Sequence, residues 1–161
     1  MPSQVLSPQA KTEQDRLQSW VRFLRAHAAI TRQLSARLEA EHGLTLNDYD
    51  VLVQLYHAPA RSLRRVDIAR AVLLTASGIT RLLDGLERAG WVEKRACASD
   101  ARVSYAVLTE VGIERFEAAR ASHHADIEEL FGSKFTPSER ETLAELLGRL
   151  PLAETSPACS E

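Results

Sequence analysis

Four neighbouring residues have side chains suited to contacting an anionic polymer. Thr75, Ser77 and Thr80 are small hydroxylic residues, and Arg81 follows directly. Small residues at the start of a helix allow its free N–H groups to approach a phosphate or a base edge, and an arginine can bond a guanine or a phosphate. These residues indicate nucleic-acid binding. The alternative is that Thr75 and Ser77 only cap a helix, while Arg81 pairs with Asp84.

A second basic group surrounds the polar stretch CASDAR at residues 97–102. Lys94 and Arg95 precede this stretch, and Arg102 closes it. An arginine at a hairpin tip can enter the narrow minor groove of A·T-rich DNA, where the negative potential is deepest. Asp100 is repelled by phosphate, so we expect it to hold Arg102 or the turn in place through a hydrogen bond.

Arg64 and Arg65 form a third basic site. They begin the segment LRRVDIARAV, which we predict to be a short helix. At the start of a helix that crosses the DNA backbone, both arginines are candidates for phosphate contacts. They could equally be solvated.

The charge distribution supports these basic sites better than the total charge does. The chain has a net charge of -2, but residues 61–102 have a net charge of +4. Residues 1–60 are neutral, and residues 103–161 have a net charge of -6. Because non-specific DNA binding depends on local neutralisation of phosphates, the basic middle matters more than the acidic remainder. A solvated charged face is the alternative interpretation.

The apolar spacing predicts which elements position these side chains. A long helix is predicted from Gln14 to His42, with apolar residues at steps of three and four and Gly43 at its end. Its length suggests that a partner chain covers its apolar stripe. Three further helices are predicted: one capped by Thr45, the short helix at residues 63–72, and one capped by Thr75 or Ser77. A hairpin at 91–97 and 102–109 then precedes two helices capped by Thr109 and Thr136.

This order predicts a mainly α fold with a small β wing. It is a winged helix-turn-helix flanked by N- and C-terminal helices that suit dimerisation. The predicted boundaries are a flexible N-terminus (1–13), a helical dimerisation region (14–42 and 110–150), a winged helix-turn-helix DNA-binding domain (43–109) and a flexible tail (151–161). Leu82, Leu83 and Leu86 are predicted core residues, and His123 and His124 are expected to be solvated.

Several classes of function are not expected. The sequence contains no nucleophile–base pair, phosphate loop or zinc-ligand spacing, so we predict no catalysis, no cofactor and no metal. Cys97 and Cys159 are too few and too far apart for a disulfide framework. Without an apolar run of membrane-spanning length or an apolar signal core, the protein is expected to be cytoplasmic and to have no membrane partner.

Residues 63–112 resemble the DNA-binding core of the multiple-antibiotic-resistance regulator (MarR) family. The quoted segment is LRRVDIARAVLLTASGITRLLDGLERAGWVEKRACASDARVSYAVLTEVG. The family's wing has an Asp-x-Arg motif and a strand ending in Leu-Thr before a glycine, and here these are Asp100, Arg102, Leu108, Thr109 and Gly112. With the outer helices, the resemblance covers about residues 14–150. Many members have a second arginine in the wing where this chain has Ala101, so we expect a weaker wing contact.

The resemblance implies a homodimer that binds double-stranded DNA at a pseudo-palindromic operator. It further implies a repressor released by a small anionic or phenolic ligand, held in a cleft between the first helix and the winged helix. The candidate ligand-binding residues are Trp20, Arg25, His27, Tyr49, Tyr56, His57 and Asp67, although Trp20 fits a core or dimer interface better. The alternatives are a redox-responsive regulator acting through Cys97, and a winged helix used for protein contacts.

Overall fold

The computed structural model describes the backbone of residues 8–72, 76–96 and 103–150, and the side chains of 17–72, 78–96 and 103–150. The described elements, in order, are α1 (Pro8–His42), α2 (Leu46–His57), β1 (Ser62–Arg64), α3 (Arg65–Ala71), α4 (Ala76–Arg88), β2 (Val92–Ala96), β3 (Ser104–Leu108), α5 (Glu110–Leu130) and α6 (Pro137–Leu147). The mainly α fold with a small β wing is confirmed. The chain divides into two units, residues 1–33 and 34–161.

Three predicted helix caps are confirmed. Thr45 and Asp48 form a capping box, in which Asp48 N–H donates to Thr45 Oγ1 over 3.2 Å and Thr45 N–H donates to Asp48 Oδ2 over 2.9 Å. Thr109 Oγ1 accepts from the N–H of Gly112 at the start of α5. Thr136 and Glu139 form a second capping box, and the Thr136 N–H lowers the pKa of the Glu139 carboxyl. Each cap satisfies a backbone donor that the helix itself cannot pair.

Two predicted boundaries differ from the structure. Helix α1 ends at His42 as predicted, with Gly43 at a left-handed φ of 64°, but it begins at Pro8 rather than at Gln14. The short helix begins at Arg65 rather than at Leu63, because residues 62–64 form strand β1. This three-residue strand is held by antiparallel pairing with a distant segment, β3, so its own sequence contains too little pattern to reveal it.

Strand β3 lies in the middle of the sheet, between β1 and β2. The alternation of inward and outward residues that is typical of a half-exposed strand is therefore not observed. Ala106, Val107 and Leu108 are consecutive and all buried. A strand that is paired on both edges and covered on both faces buries neighbouring side chains in the same way.

The core of residues 34–150 is mainly aliphatic and holds α4 against the sheet. Ile79, Leu83 and Leu86 of α4 are 3%, 6% and 1% exposed, and Leu82 packs at the edge of the same cluster. The core assignment of the three leucines is thus confirmed. The largest fully buried side chains are Phe116, Leu38, Leu44, Leu52, Leu55, Ile68, Leu86 and Val51.

The solvated state predicted for His123 is wrong. His123 is 5% exposed, and its ring lies 4.5 Å from the ring of Tyr49, whereas His124 is exposed as predicted. The two histidines are adjacent in α5, so one turns inward while the other turns outward. Burial lowers the pKa of His123, since the charged imidazolium loses its hydration there.

The described part of α1 within residues 1–33 exposes its apolar side chains. Trp20 is 56% exposed, and its ring stacks on that of Phe23, which in turn stacks on His27. Leu17, Val21, Phe23 and Leu24 are 59%, 38%, 42% and 43% exposed. Among the described residues, no helix is both long and apolar enough to cross a membrane.

Candidate nucleic-acid interface

Helix α4 has one core face and one solvent face, as a recognition helix requires. Its apolar residues pack inward, while Arg81 and Asp84 are exposed on the other side. Thr75 and the side chain of Ser77, two of the predicted DNA contacts, lie outside the described residues. What the structure offers for contact with a ligand is therefore the exposed side of α4 from Gly78 onward.

Arg81 has no ion-pair partner within the part of the chain that the structure describes. The ion pair between Arg81 and Asp84, which the alternative interpretation requires, is not observed. Arg88 instead donates its Nε–H to the carbonyl oxygen of Asp84 over 3.1 Å. An exposed guanidinium without an ion-pair partner in this part of the chain is suited to bidentate bonding with a base edge or a phosphate.

Gly85 lies in the middle of α4, where a glycine is unfavourable. A Cβ added to Gly85 would meet a single described atom within 4 Å, Nη2 of Arg88. Close approach of a neighbouring helix therefore does not explain this glycine.

Arg65 and Thr80 are joined to each other. The Nη2 of Arg65, at the start of α3, donates to Thr80 Oγ1 in α4 over 2.6 Å. Both residues are predicted DNA contacts, and the spacing of 15 positions gives no sequence signal for a direct bond between them. The bond links the two helices of the helix-turn-helix at a half-buried position.

Arg64 is more exposed than its neighbour and is held by an acidic residue. Its Nε donates to Asp67 Oδ2 over 2.6 Å, and Asp67 also lies 3.8 Å from Arg70. The side chains of Arg64 and Arg70 are 43% and 71% exposed. An exposed ion pair of this kind contributes little to the stability of the fold, so replacing the carboxylate by a phosphate costs little free energy.

The first wing strand contributes two cations. Lys94 and Arg95 are exposed on β2, Arg95 forms an ion pair with Glu93, and Lys94 has no ion-pair partner within the described ranges. Ala96 pairs with Ser104 at the last register position before the wing tip. The tip itself, with Cys97, Asp100 and Arg102, lies outside the described residues.

The base of the wing is fixed to the start of α5. Thr109 Oγ1 donates to the carbonyl oxygen of Gly90 over 2.7 Å, and Thr109 N–H donates to that of Trp91 over 3.1 Å. A Cβ on Gly112 would overlap the Trp91 carbonyl oxygen. Only glycine permits this close approach, which gives a physical reason for the glycine that follows the Leu-Thr motif.

Two of the predicted ligand-binding residues pack against Phe116, and a third packs against one of these two. The ring centroids of Tyr49 and Tyr56 lie 5.5 and 4.6 Å from that of Phe116, and His57 lies edge-on to Tyr56 at 5.3 Å. Tyr49 is 5% exposed, and burial raises the pKa of its hydroxyl. A ligand would have to displace this packing in order to reach the Tyr49 ring.

Tyr56 belongs to a charged cluster that the sequence did not predict. Its hydroxyl donates to Glu117 Oε1 over 2.8 Å, which raises the pKa of Tyr56. The Arg61 guanidinium lies 5.1 Å from the centre of the Tyr56 ring. Arg61 and Ala60 both adopt a left-handed φ, at 53° and 50°. No local pattern in this segment, PAR, predicts such a turn, because neither residue is glycine or asparagine.

The remaining ligand candidates lie elsewhere. Asp67 has its carboxylate bonded to Arg64. Trp20, Arg25 and His27 lie in the first unit, where all three are exposed on α1.

The C-terminal part of α1 is fastened to α5 by contacts between residues far apart in the sequence. Arg37 bonds both Asp126 and Glu129, and its Nη2 lies 2.9 Å from Glu129 Oε1. The paired guanidinium lowers the pKa of Glu129. The partners are separated by about 90 positions, so helical spacing could not predict them.

One serine and one histidine lie as close together as the two members of a catalytic pair. Ser122 Oγ lies 2.7 Å from His42 Nε2, but the same hydroxyl also donates to the Ala119 carbonyl oxygen over 3.2 Å. The single hydroxyl proton can serve either partner, so the direction of the bond with His42 depends on the tautomer of the imidazole. Glu41 Oε2 lies 3.7 Å from the same Nε2. The described residues also contain no cluster of three or more metal-ligating side chains.

Comparison with known proteins identifies the family to which this arrangement belongs. A profile of the MarR family matches residues 42–103. The HTH-type transcriptional regulator MhqR of Bacillus subtilis is 30% identical over 136 residues, which cover 84% of this chain and 91% of that protein.

Two solved structures share the fold. Sco3205, a MarR family regulator from Streptomyces coelicolor in complex with DNA, has a TM-score of 0.78 at 24% identity, covering 91% of this chain and 88% of its own. The MepR–DNA complex of S. aureus has a TM-score of 0.68 at 26% identity, covering 82% and 97%. On the relative at 30% identity and the matching profile, this winged-helix chain belongs to the MarR family.

Proposed function

We propose that the protein is a dimeric, sequence-specific regulator of transcription that binds double-stranded DNA at a pseudo-palindromic operator. The observation that carries this proposal is the exposed face of α4. It presents Arg81, which has no ion-pair partner among the described residues, and it is followed in the chain by a wing strand with the exposed cation Lys94. The DNA complex of MepR, a protein that shares this fold at 26% identity, supports it.

The charges of this face divide into free and paired groups. Arg81 and Lys94 have no ion-pair partner in the described ranges, and they are the proposed base-reading and backbone-contacting groups. Arg64 and Arg95 are paired with Asp67 and Glu93, from which a phosphate would release them. Thr75, Ser77 and Arg102 remain predicted contacts of the helix start and the wing tip, and Asp100 remains predicted to hold Arg102 or the turn in place.

Dimerisation is supported by the apolar side chains that the single chain leaves exposed. The first unit exposes Leu17, Trp20 and Phe23, and α6 buries none of its residues. Apolar helix faces of this kind favour an interface with a second copy. A two-fold dimer presents two recognition helices to two half-sites, which explains the proposed pseudo-palindromic operator.

A repressor released by a small anionic or phenolic ligand is the form of regulation that the family resemblance supports. Within residues 34–150, Tyr56 and His57 are the aromatic candidates whose rings are accessible, since Tyr49 is buried. Arg61, which lies over Tyr56, adds a positive charge suited to an anion.

The test is to select duplexes from a random pool and to measure the affinity of the selected site against its scrambled sequence at several salt concentrations. We expect log affinity to fall steeply with log salt, and two protomers to bind each site. Arg81→Ala should alter base preference, whereas Arg64→Ala should weaken all sequences alike. Arg149 follows α6, is exposed and is paired with Glu145, so Arg149→Ala is the matched control and should leave base preference unchanged. Absence of selectable duplexes would refute the proposal.

A further inference from the structure

We propose that Arg65 is a positioning residue for the recognition helix and does not contact phosphate. This inference rests on the proposed DNA-binding function and assigns a new role to one of its predicted contacts. Its basis is the bond from Arg65 Nη2 to Thr80 Oγ1, 2.6 Å long and half-buried.

The guanidinium of Arg65 is turned toward the interior of the winged helix. Arg65 lines a groove between α4 and the two wing strands, and the groove also contains the apolar side chains of Leu83, Val92 and Ala106. The ion pair of Arg64 with Asp67, by contrast, is exposed to solvent. The two neighbouring arginines therefore face different environments, although the sequence gives them the same chemistry.

The charges of this groove give a phosphate no net attraction. The groove is lined by three carboxylates and two cations, namely Asp84, Glu87, Glu93, Arg65 and Lys94. Because Arg95 pairs with Glu93, the cations and carboxylates balance. A guanidinium already bonded to Thr80 is therefore not drawn toward a phosphate by its surroundings.

The position of Thr80 shows what this bond controls. Thr80 directly precedes Arg81, the proposed base-reading residue, in the second turn of α4. Because Arg65 begins α3, the bond fixes the rotation and height of α4 relative to the helix before it. A loose α4 would place Arg81 over the wrong base edge, so the bond should act mainly on the choice of sequence.

The experiment is a double-mutant cycle on DNA binding with Arg65→Met and Thr80→Val, which keep side-chain bulk and remove the donor and the acceptor. We expect each single variant to reduce the ratio of specific to scrambled-duplex affinity about ten-fold, the scale of one buried hydrogen bond. The double variant should lose no more than either single one, because the two changes break the same bond. Thr80→Ser restores the hydroxyl and should recover most of the ratio.

The salt dependence separates positioning from phosphate contact. All four variants should keep the wild-type slope of log affinity against log salt, whereas loss of a phosphate contact reduces that slope by about 0.9. A reduced slope for Arg65→Met, or additive losses in the double variant, would overturn the inference while leaving the proposed function intact. Circular dichroism confirms that each variant is folded, and the same cycle measured on urea unfolding detects the bond independently. A wild-type protein that binds no duplex refutes the proposed function and this inference with it.

Discussion

The two units of the chain treat their apolar side chains in opposite ways. Residues 34–150 enclose a core in which Phe116 is 1% exposed, whereas Phe23 in the first unit is 42% exposed. Both phenylalanines lie on helices with apolar residues at steps of three and four. Helical periodicity therefore identifies a face that is to be covered, but it does not say whether this chain or another one covers it.

The pair Phe116→Ala and Phe23→Ala tests this difference most directly and has the largest expected effect. Truncating the buried ring should lower the free energy of unfolding by about 3–5 kcal/mol at every protein concentration. Truncating the exposed ring should act only through association, so its effect on urea unfolding should depend on protein concentration. A loss at Phe23 as large as that at Phe116 and independent of concentration would show that this chain alone buries it.

A glycine pair sharpens the comparison within the second unit and has a smaller expected effect. Gly112→Ala forces a methyl group against the Trp91 carbonyl, and should destabilise the protein by roughly 1–3 kcal/mol, as overpacking does. Gly85→Ala adds its methyl group to open space in a helix interior, and should stabilise by roughly 1 kcal/mol. The measurement is the melting temperature of both variants. If Gly112→Ala raised it as much as Gly85→Ala does, the wing base would be able to relax around the added methyl group.

The smallest expected effect is a pH dependence carried by the buried His123. Its pKa is below the ordinary value of 6.5, so between these two values the unfolded chain binds more protons than the folded one. The free energy of unfolding should therefore decrease as the pH falls below about 6.5. Urea unfolding at pH 7 and pH 5 should show a smaller decrease for His123→Gln than for wild type.

The exposed neighbour is the control for this titration. His124→Gln should keep most of the pH dependence, because burial lowers the pKa of His123 more than the charge of His124 does. An unchanged pH dependence in His123→Gln would mean that the imidazole is already hydrated in the folded protein. The partition of α5 into a buried and an exposed histidine would then be wrong.

The sequence predicted the features that depend on near neighbours. The caps at Thr45, Thr109 and Thr136 and the stop at Gly43 each rest on contacts within about four residues, so their residue types alone reveal them. The core assignment of Leu83 and Leu86 follows from helical spacing in the same way.

The features that the sequence did not predict depend on distant partners. Strand β1 exists because β3 pairs with it, and His123 is buried because Tyr49 of another helix covers it. The same holds for the proposed site. Arg64 and Arg65 are adjacent and chemically equivalent in the sequence, and they are distinguished by the bonds of Arg64 to Asp67 and of Arg65 to Thr80. A local sequence pattern carries no information about a contact between residues that are far apart in the chain.

Strand β2 is an edge of the three-stranded sheet, and this has a practical consequence for variants designed to abolish DNA binding. Of its five residues, Glu93, Lys94, Arg95 and Ala96 are exposed, and three of them are charged. Charged side chains on an edge strand discourage the unpaired backbone groups from adding a strand of another molecule. Neutralising Lys94 and Arg95 together would thus favour self-association of the protein through β2. A loss of DNA affinity in such a variant can be assigned to lost contacts only after aggregation has been measured.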